Sequence, residues 1–236
     1  MKLLLISNST NAGEAYLEYP KNEINEFLGE IRNVLFIPYA AVTFSYDTYA
    51  AKVQERLGEF KIKVNSIHRH EDKLKAVQEA EAIVIGGGNT WQLLKSLQDL
   101  NLLDAIYSQV KEKEIPFIGW SAGSDMACPT IRTTNDMPIC EPSSYKALAL
   151  IPFQINPHYL DANPEGHAGE TREQRIEEFI AVNQSIYVVG LREGCMLKIA
   201  DKTATLIGQK KLRVFKHDQE AMEYEAGEKL DFLFCH

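Results

Sequence analysis

The chain has no apolar run approaching the roughly 20 residues that cross a bilayer, so nothing in it reads as a membrane span. It is short of positive charge. Its 25 Lys and Arg stand against 33 Asp and Glu, a formal net charge of −8. That balance repels phosphate backbones and argues against nucleic acid as a main partner. Cysteine is sparse, with Cys128, Cys140, Cys195 and Cys235 in no C-x-x-C pair and at no zinc spacing with histidine. The four read as reduced thiols of a cytoplasmic protein, and no metal or other cofactor is expected. Internal repeats, low-complexity segments and a clear linker are missing too. The 236 residues therefore read as one domain, 1–236, large enough for a sizeable core. The opening Met1-Lys2-Leu3-Leu4-Leu5-Ile6 is too short an apolar stretch for an export signal and reads as a first buried strand.

What is present is alternation. Strand-like runs at 2–7, 34–37, 62–67 and 82–85 are separated by helix-like stretches at 14–28, 46–57 and 72–80, with Pro20 delaying the first helix and Asp72 as a cap. The fourth run, Ala82-Ile83-Val84-Ile85, is wholly apolar, as buried parallel strands are. It leads into Gly86-Gly87-Gly88-Asn89-Thr90 and a helix with Leu93, Leu94 and Leu97 on one side. Another helix is expected over 102–111, then a strand running into residue 121. The pattern predicts an α/β fold: an open, mostly parallel sheet with helices on both faces, its ligands beyond the carboxyl ends of the strands. Prolines at 129, 138, 142, 152, 157 and 164 mark a loop-rich stretch. A helix at 171–182, a strand at 186–189 and short antiparallel strands at 196–199, 203–207 and 212–215 follow.

The segment Ile118-Gly119-Trp120-Ser121-Ala122-Gly123 is Gly-x-Ser-x-Gly between a strand and small residues suited to a helix start. Such a turn lifts a serine oxygen out of a sheet edge and sets free helix N–H groups beside it. An ordinary tight turn is the plain structural alternative. A serine hydroxyl needs a base, and the base needs an orienting acid. His68, His70, His217 and His236 sit in polar surroundings. His158, in Gln154-Ile155-Asn156-Pro157-His158, is favoured over His167, in Pro164-Glu165-Gly166-His167, because Pro157 stiffens its approach. Three acids compete for the third place. Asp136 gives the order Ser, Asp, His. Glu193 follows a strand at the active edge. Asp161 lies only three residues past His158. The residues alone leave Asp136 and Glu193 open. The turn at Gly86–Asn89 lacks the lysine of a phosphate loop, so it reads as a tight turn or a second oxyanion donor at Gly88, with the N–H of Ala122 as the first. Thr171-Arg172-Glu173-Gln174 matches a capping box. Arg172, a cation at a helix start, is either screened by Glu170 and Glu173 or a clamp for a substrate carboxylate.

Taken together, these stretches resemble the peptidase E family of aspartyl dipeptidases over nearly the whole chain. The resemblance rests on Ser7-Asn8-Ser9-Thr10, Gly86–Thr90, Gly119–Gly123, Cys128–Ile139, Gln154–His158 and Gly169–Ile176. It implies a fold like the class I glutamine amidotransferases, with serine in place of their cysteine, and a cytoplasmic serine peptidase for dipeptides and some tripeptides that begin with aspartate. It assigns Ser121 as nucleophile, His158 as base, Asp136 as the usual relay acid with Glu193 as rival, and Arg172 with Asn89 as substrate-binding residues. The expected partner is a small peptide, and the expected state a monomer or homodimer. Two other readings remain: a non-catalytic small-anion-binding module, and a serine hydrolase acting on an aspartate-rich polymer.

Overall fold

The computed structural model describes residues 1–163, 165–166 and 168–235. In chain order the described elements are β1 (Lys2–Ile6), α1 (Lys21–Leu28), β2 (Asn33–Ile37), α2 (Tyr46–Gly58), β3 (Lys63–Ser66), α3 (Lys73–Gln78), β4 (Ile83–Ile85), α4 (Thr90–Asp99), α5 (Leu103–Tyr107), β5 (Phe117–Trp120), α6 (Ala122–Asp125), β6 (Gln154–Tyr159), α7 (Arg172–Val182), β7 (Val188–Arg192), β8 (Met196–Ala200), β9 (Thr203–Ile207), β10 (Leu212–Phe215) and β11 (Met222–Tyr224). The main sheet has the order β3-β2-β4-β5-β1-β8-β9. Its first five strands run parallel, and β8 and β9 add an antiparallel edge.

The parallel strands are apolar because both faces are covered. On one face α4 and α5 bury Leu93, Leu97 and Ile106 with Leu3, Leu5, Ile83 and Ile85. On the other, α1 and α2 bury Ile24, Leu28, Val53 and Leu57 with Leu4, Phe36, Val84 and Ile118. Each such side chain contributes about 1.5–3 kcal/mol by leaving water. The mostly parallel sheet with helices on both faces is thus the one the alternating pattern describes.

Local chemistry sets the element ends. Helix α1 starts only after Pro20, since a proline disfavours helical geometry in the residue before it and suits a helix start. Asp72 caps α3 by accepting from Lys75 N, and Thr171 and Gln174 form a reciprocal capping box on α7.

The proline-rich stretch contains a strand that period alone did not reveal. Residues 154–159 form β6, paired parallel with β7 through the α7 crossover. With β10 and β11 they make a second sheet, order β11-β10-β7-β6. The tail therefore divides: β8 and β9 extend the main sheet, and β10 joins the second. Between β7 and β8 the chain steps from one sheet to the other at Glu193-Gly194-Cys195. The carboxyl ends of β1, β5, β6 and β7 meet at that step.

Candidate active site

Ser121 sits at the end of β5 in a conformation that side chains avoid, φ 52° and ψ −117°. Strain of that kind costs about 1–3 kcal/mol and persists only when neighbours enforce it. The enforcement is visible. Ser121 N donates to Ile6 O at 3.0 Å, and Ser124 N and Asp125 N donate to Ser121 O. Ser124 Oγ lies 2.8 Å from both Ile6 O and Gly119 O. A Cβ on Gly123 would collide with the Ile85 carbonyl oxygen, and one on Gly119 with the Gly123 carbonyl oxygen. The glycines of the motif are thus a packing requirement of the turn.

His158 is brought to the serine by a break in β6. The pairing with β7 shifts register between Pro157 and Tyr159, and His158 adopts φ 53°. Bulges of this sort re-aim a side chain beside an active site. The His158 N–H donates to Ser7 Oγ at 2.9 Å, and the Ser7 hydroxyl donates to Leu191 O at 2.7 Å. Ser7, just past β1, therefore fastens β6 and β7 to the main sheet. The ring spans two partners: Nε2 is 2.9 Å from Ser121 Oγ, and Nδ1 is 2.7 Å from Glu193 Oε1. A carboxylate only accepts, so against ionised Glu193 the proton sits on Nδ1, and Nε2 is left to accept from the serine hydroxyl. Both side chains stay partly open to solvent, at 38% for His158 and 43% for Glu193.

Asp136 lies elsewhere. Its Oδ2 accepts from Thr90 N at 2.8 Å and Thr90 Oγ1 at 2.6 Å, and its carbonyl accepts from Trp91 Nε1. These bonds tie the 131–139 loop to the start of α4. Beneath them Asp125 is fully buried, its Oδ2 3.3 Å from Thr90 Oγ1 and its Oδ1 without a partner among the described residues. Burial first, and the Asp136 charge second, push the Asp125 carboxyl well above its ordinary value. Asp161 pairs instead with Arg192, which holds its carboxyl below the usual range, and the same guanidinium reaches Glu223. His167 lies outside the described residues.

The turn 86–89 faces the serine. Gly88 has φ 137°, and a Cβ there would run into the Ala40 carbonyl, which accepts from Asn89 N at 2.9 Å. Among the described residues the N–H groups of Gly88 and Ala122 donate to no protein acceptor. Asn89 caps α4, with Oδ1 accepting from Gln92 N while Nδ2 donates to Met137 O, so both ends of its amide are taken up by the protein. Tyr49 was not singled out from sequence, yet its hydroxyl donates to Gly87 O at 2.9 Å and receives Trp120 Nε1 at 3.1 Å. Burial pushes the Tyr49 phenol up to about 12, so it stays a donor.

Ser121 and His158 line a cavity of about 330 Å³ with Tyr16, Phe44, Thr48, Tyr49, Lys52, Gly87 and Gly88. Arg172 lines a different one, of about 440 Å³, with Asp136 and Asn156. Burial and Arg175 pull its guanidinium below its ordinary value, with Asp136 opposing. Asn156 precedes His158 by two residues on β6, so the two cavities adjoin the same strand end. The buried Asn156 Oδ1 has no partner among the described residues.

A model of peptidase family S51 matches residues 3–207. The chain is 51% identical to peptidase E of Nostoc sp. over 98% of its length and 96% of that protein's. It is 48% identical to peptidase E of Salmonella paratyphi A over 96% of its length and 99% of that protein's. A crystal structure of a peptidase from an acI-B1 Actinobacterium superposes with a TM-score of 0.67, covering 97% of this chain and 96% of that one at 16% identity.

Proposed function

The chain belongs to peptidase family S51 and is a serine peptidase, and from that we propose that it is an aspartyl dipeptidase, cleaving dipeptides and some tripeptides that begin with aspartate. The observation that carries the mechanism is the contact chain from Ser121 Oγ through the His158 ring to Glu193. His158 takes the serine proton as Ser121 attacks the carbonyl carbon of the first residue. Glu193 holds the ring and stabilises the imidazolium. The oxyanion meets the N–H groups of Gly88 and Ala122, each such donor being worth about 3–4 kcal/mol. His158 then protonates the departing amine. A water molecule, deprotonated by the same ring, releases aspartate and restores the serine.

Arg172 receives the side-chain carboxylate of the substrate aspartate. Its support is a partly buried guanidinium in the neighbouring cavity, with no carboxylate ion pair among the described residues. Asp136 is assigned to bracing the start of α4 and, through it, the Gly86–Asn89 turn. The test is turnover of Asp-Leu against Leu-Leu. Asp-Leu is expected to be strongly preferred, with Ser121→Ala losing a factor on the order of 10⁴ or more and Arg172→Ala losing the preference. Equal wild-type rates on the two peptides would sink the aspartate specificity, and an active Ser121→Ala protein would sink the nucleophile.

A further inference from the structure

We propose that Lys52 binds the C-terminal carboxylate of the dipeptide and so sets the length of substrate the enzyme accepts. The inference rests on the dipeptidase reading above. Helix α2 starts at Tyr46 behind its Ser45 cap, and Thr48, Tyr49 and Lys52 fall at helical spacing along one side of it. All three line the cavity that holds Ser121 and His158. Among the described residues no Asp or Glu lines that cavity, and Lys52 is the one permanent cation that does.

In a chain of net charge −8, cations near carboxylates are usually taken. One helical turn further on, Arg56 pairs with Glu18 at 2.6 Å, and Lys21 pairs with Glu59 at 2.9 Å. Lys52 instead rests over the Tyr16 ring, Nζ 4.3 Å from its centroid, with no carboxylate partner among the described residues. A cation held by an aromatic face keeps its charge available to an incoming anion.

The rest of the cavity defines what brings that anion. Tyr16, Phe44 and Tyr49 offer apolar and aromatic wall beside the lysine. A group that suits both is an amino acid with an apolar side chain and a free α-carboxylate, which is the second residue of Asp-Leu. The aspartate side chain is directed to Arg172 in the adjoining cavity. Each carboxylate of the substrate then has its own cation, with the scissile bond at Ser121 between them. Adding a residue moves the terminal carboxylate by about 3.5 Å. The flexible lysine stem follows part of that distance, so tripeptides bind more weakly and longer chains overshoot.

Recognition can be read apart from turnover. Asp-Leu and its C-terminal amide, Asp-Leu-NH2, are titrated calorimetrically into Ser121→Ala protein and into the same protein carrying Lys52→Met or Lys52→Arg. Lys52→Met is expected to weaken Asp-Leu by up to about fivefold, as loss of an exposed charge pair does, and to leave affinity for the amide unchanged. Lys52→Arg should restore most of the affinity. Equal weakening of both peptides, or of neither, overturns the proposal. So does a loss that follows the side chain, with Asp-Leu-NH2 weakened as much as Asp-Leu and Asn-Leu spared. Absence of Asp-Leu binding to Ser121→Ala overturns it as well. Selective binding through Lys52 by a protein whose wild type leaves Asp-Leu uncut would sink the aspartyl dipeptidase reading and keep the assignment of Lys52 to the terminal carboxylate.

Discussion

Replacing Glu193 by glutamine is the sharpest perturbation of the proposed mechanism, because it keeps the shape and removes the charge behind His158. The amide can turn its NH2 toward Nδ1, which stabilises the wrong tautomer and leaves Nε2 protonated against the serine. In a fully buried triad that error costs about 10⁴ in rate. Here the pair is partly open, with side-chain exposures of 38% and 43%, so water shares the work. The carboxylate's attraction for imidazolium lies between about 1 kcal/mol in bulk water and about 4 kcal/mol near a protein surface at comparable distance. The 2.7 Å contact places it in the upper part of that range, at about 2–4 kcal/mol. At 1.36 kcal/mol per decade, kcat on Asp-Leu should fall by about 30-fold to 10³-fold, with little change in melting temperature. Asp136 behaves oppositely. Asp136→Asn keeps an oxygen for Thr90 N and Oγ1 and loses only the charge assistance, about 1 kcal/mol per bond. Asp136→Ala empties the site and should lower melting temperature and kcat together, with Asp136→Asn recovering most of both. Steady-state kinetics on folded protein, checked by thermal melting, decides. If Asp136→Asn costs more rate than Glu193→Gln at unchanged stability, the argument for Glu193 is refuted.

Two further outcomes follow from the same contacts. Gly88→Ala forces a Cβ onto the Ala40 carbonyl and displaces the Asn89 N–Ala40 O bond, so kcat should fall by about 10²-fold to 10³-fold, the cost of one oxyanion donor; a variant with wild-type kcat would remove Gly88 from the site. Asp125 keeps its proton in the folded state to a pH well above that at which the unfolded chain releases it, near 3.9. Its contribution therefore makes stability fall as pH rises from about 4 toward that raised value. Asp125→Asn should flatten the melting temperature between pH 4.5 and 7.5 relative to wild type, and parallel curves would exclude a buried neutral carboxyl.

The parts of the fold that were legible in the sequence are those whose cause is local. The run Ile83-Val84-Ile85 is apolar because both of its faces are covered, and Gly119, Ser121 and Gly123 fall within a turn only five residues long. Asp72 and Thr171 announce their helices by bonds that reach three residues. Strand β6 was not legible, since Pro157 lies in it and its partner β7 arrives only after α7. Tyr49 and Lys52 read as ordinary members of an amphipathic helix until the end of β5 is brought against them. The choice between Asp136 and Glu193 belongs to this second kind. Both follow the serine, both lie in loops, and their local patterns are equally plausible for an acid beside a histidine. What separates them is the bulge after Pro157, which turns the ring toward the step between the sheets.

That step makes the Ser121–His158–Glu193 contact chain a property of two sheets held in register. Ser121 belongs to the main sheet, while His158 and Glu193 leave the second one, so neither sheet alone carries the contact chain. Three bonds near the step fix their relation. Ser7 accepts from the His158 N–H and donates to Leu191 O, and Asn8 Oδ1 accepts from Gly194 N at 2.8 Å. All three start from the residues just past β1, the strand next to β5 in the main sheet. Ser121 N in turn donates to Ile6 O, the residue before Ser7. The end of β1 is thus a common reference for Ser121, His158 and the Glu193-Gly194 step, each one or two bonds away. A shift between the sheets would stretch the 2.9 Å serine–histidine contact and the Ser7 bonds together. Hence the short polar stretch Ser7-Asn8, outside the Ser121–His158–Glu193 contact chain, bears on whether that chain stays closed.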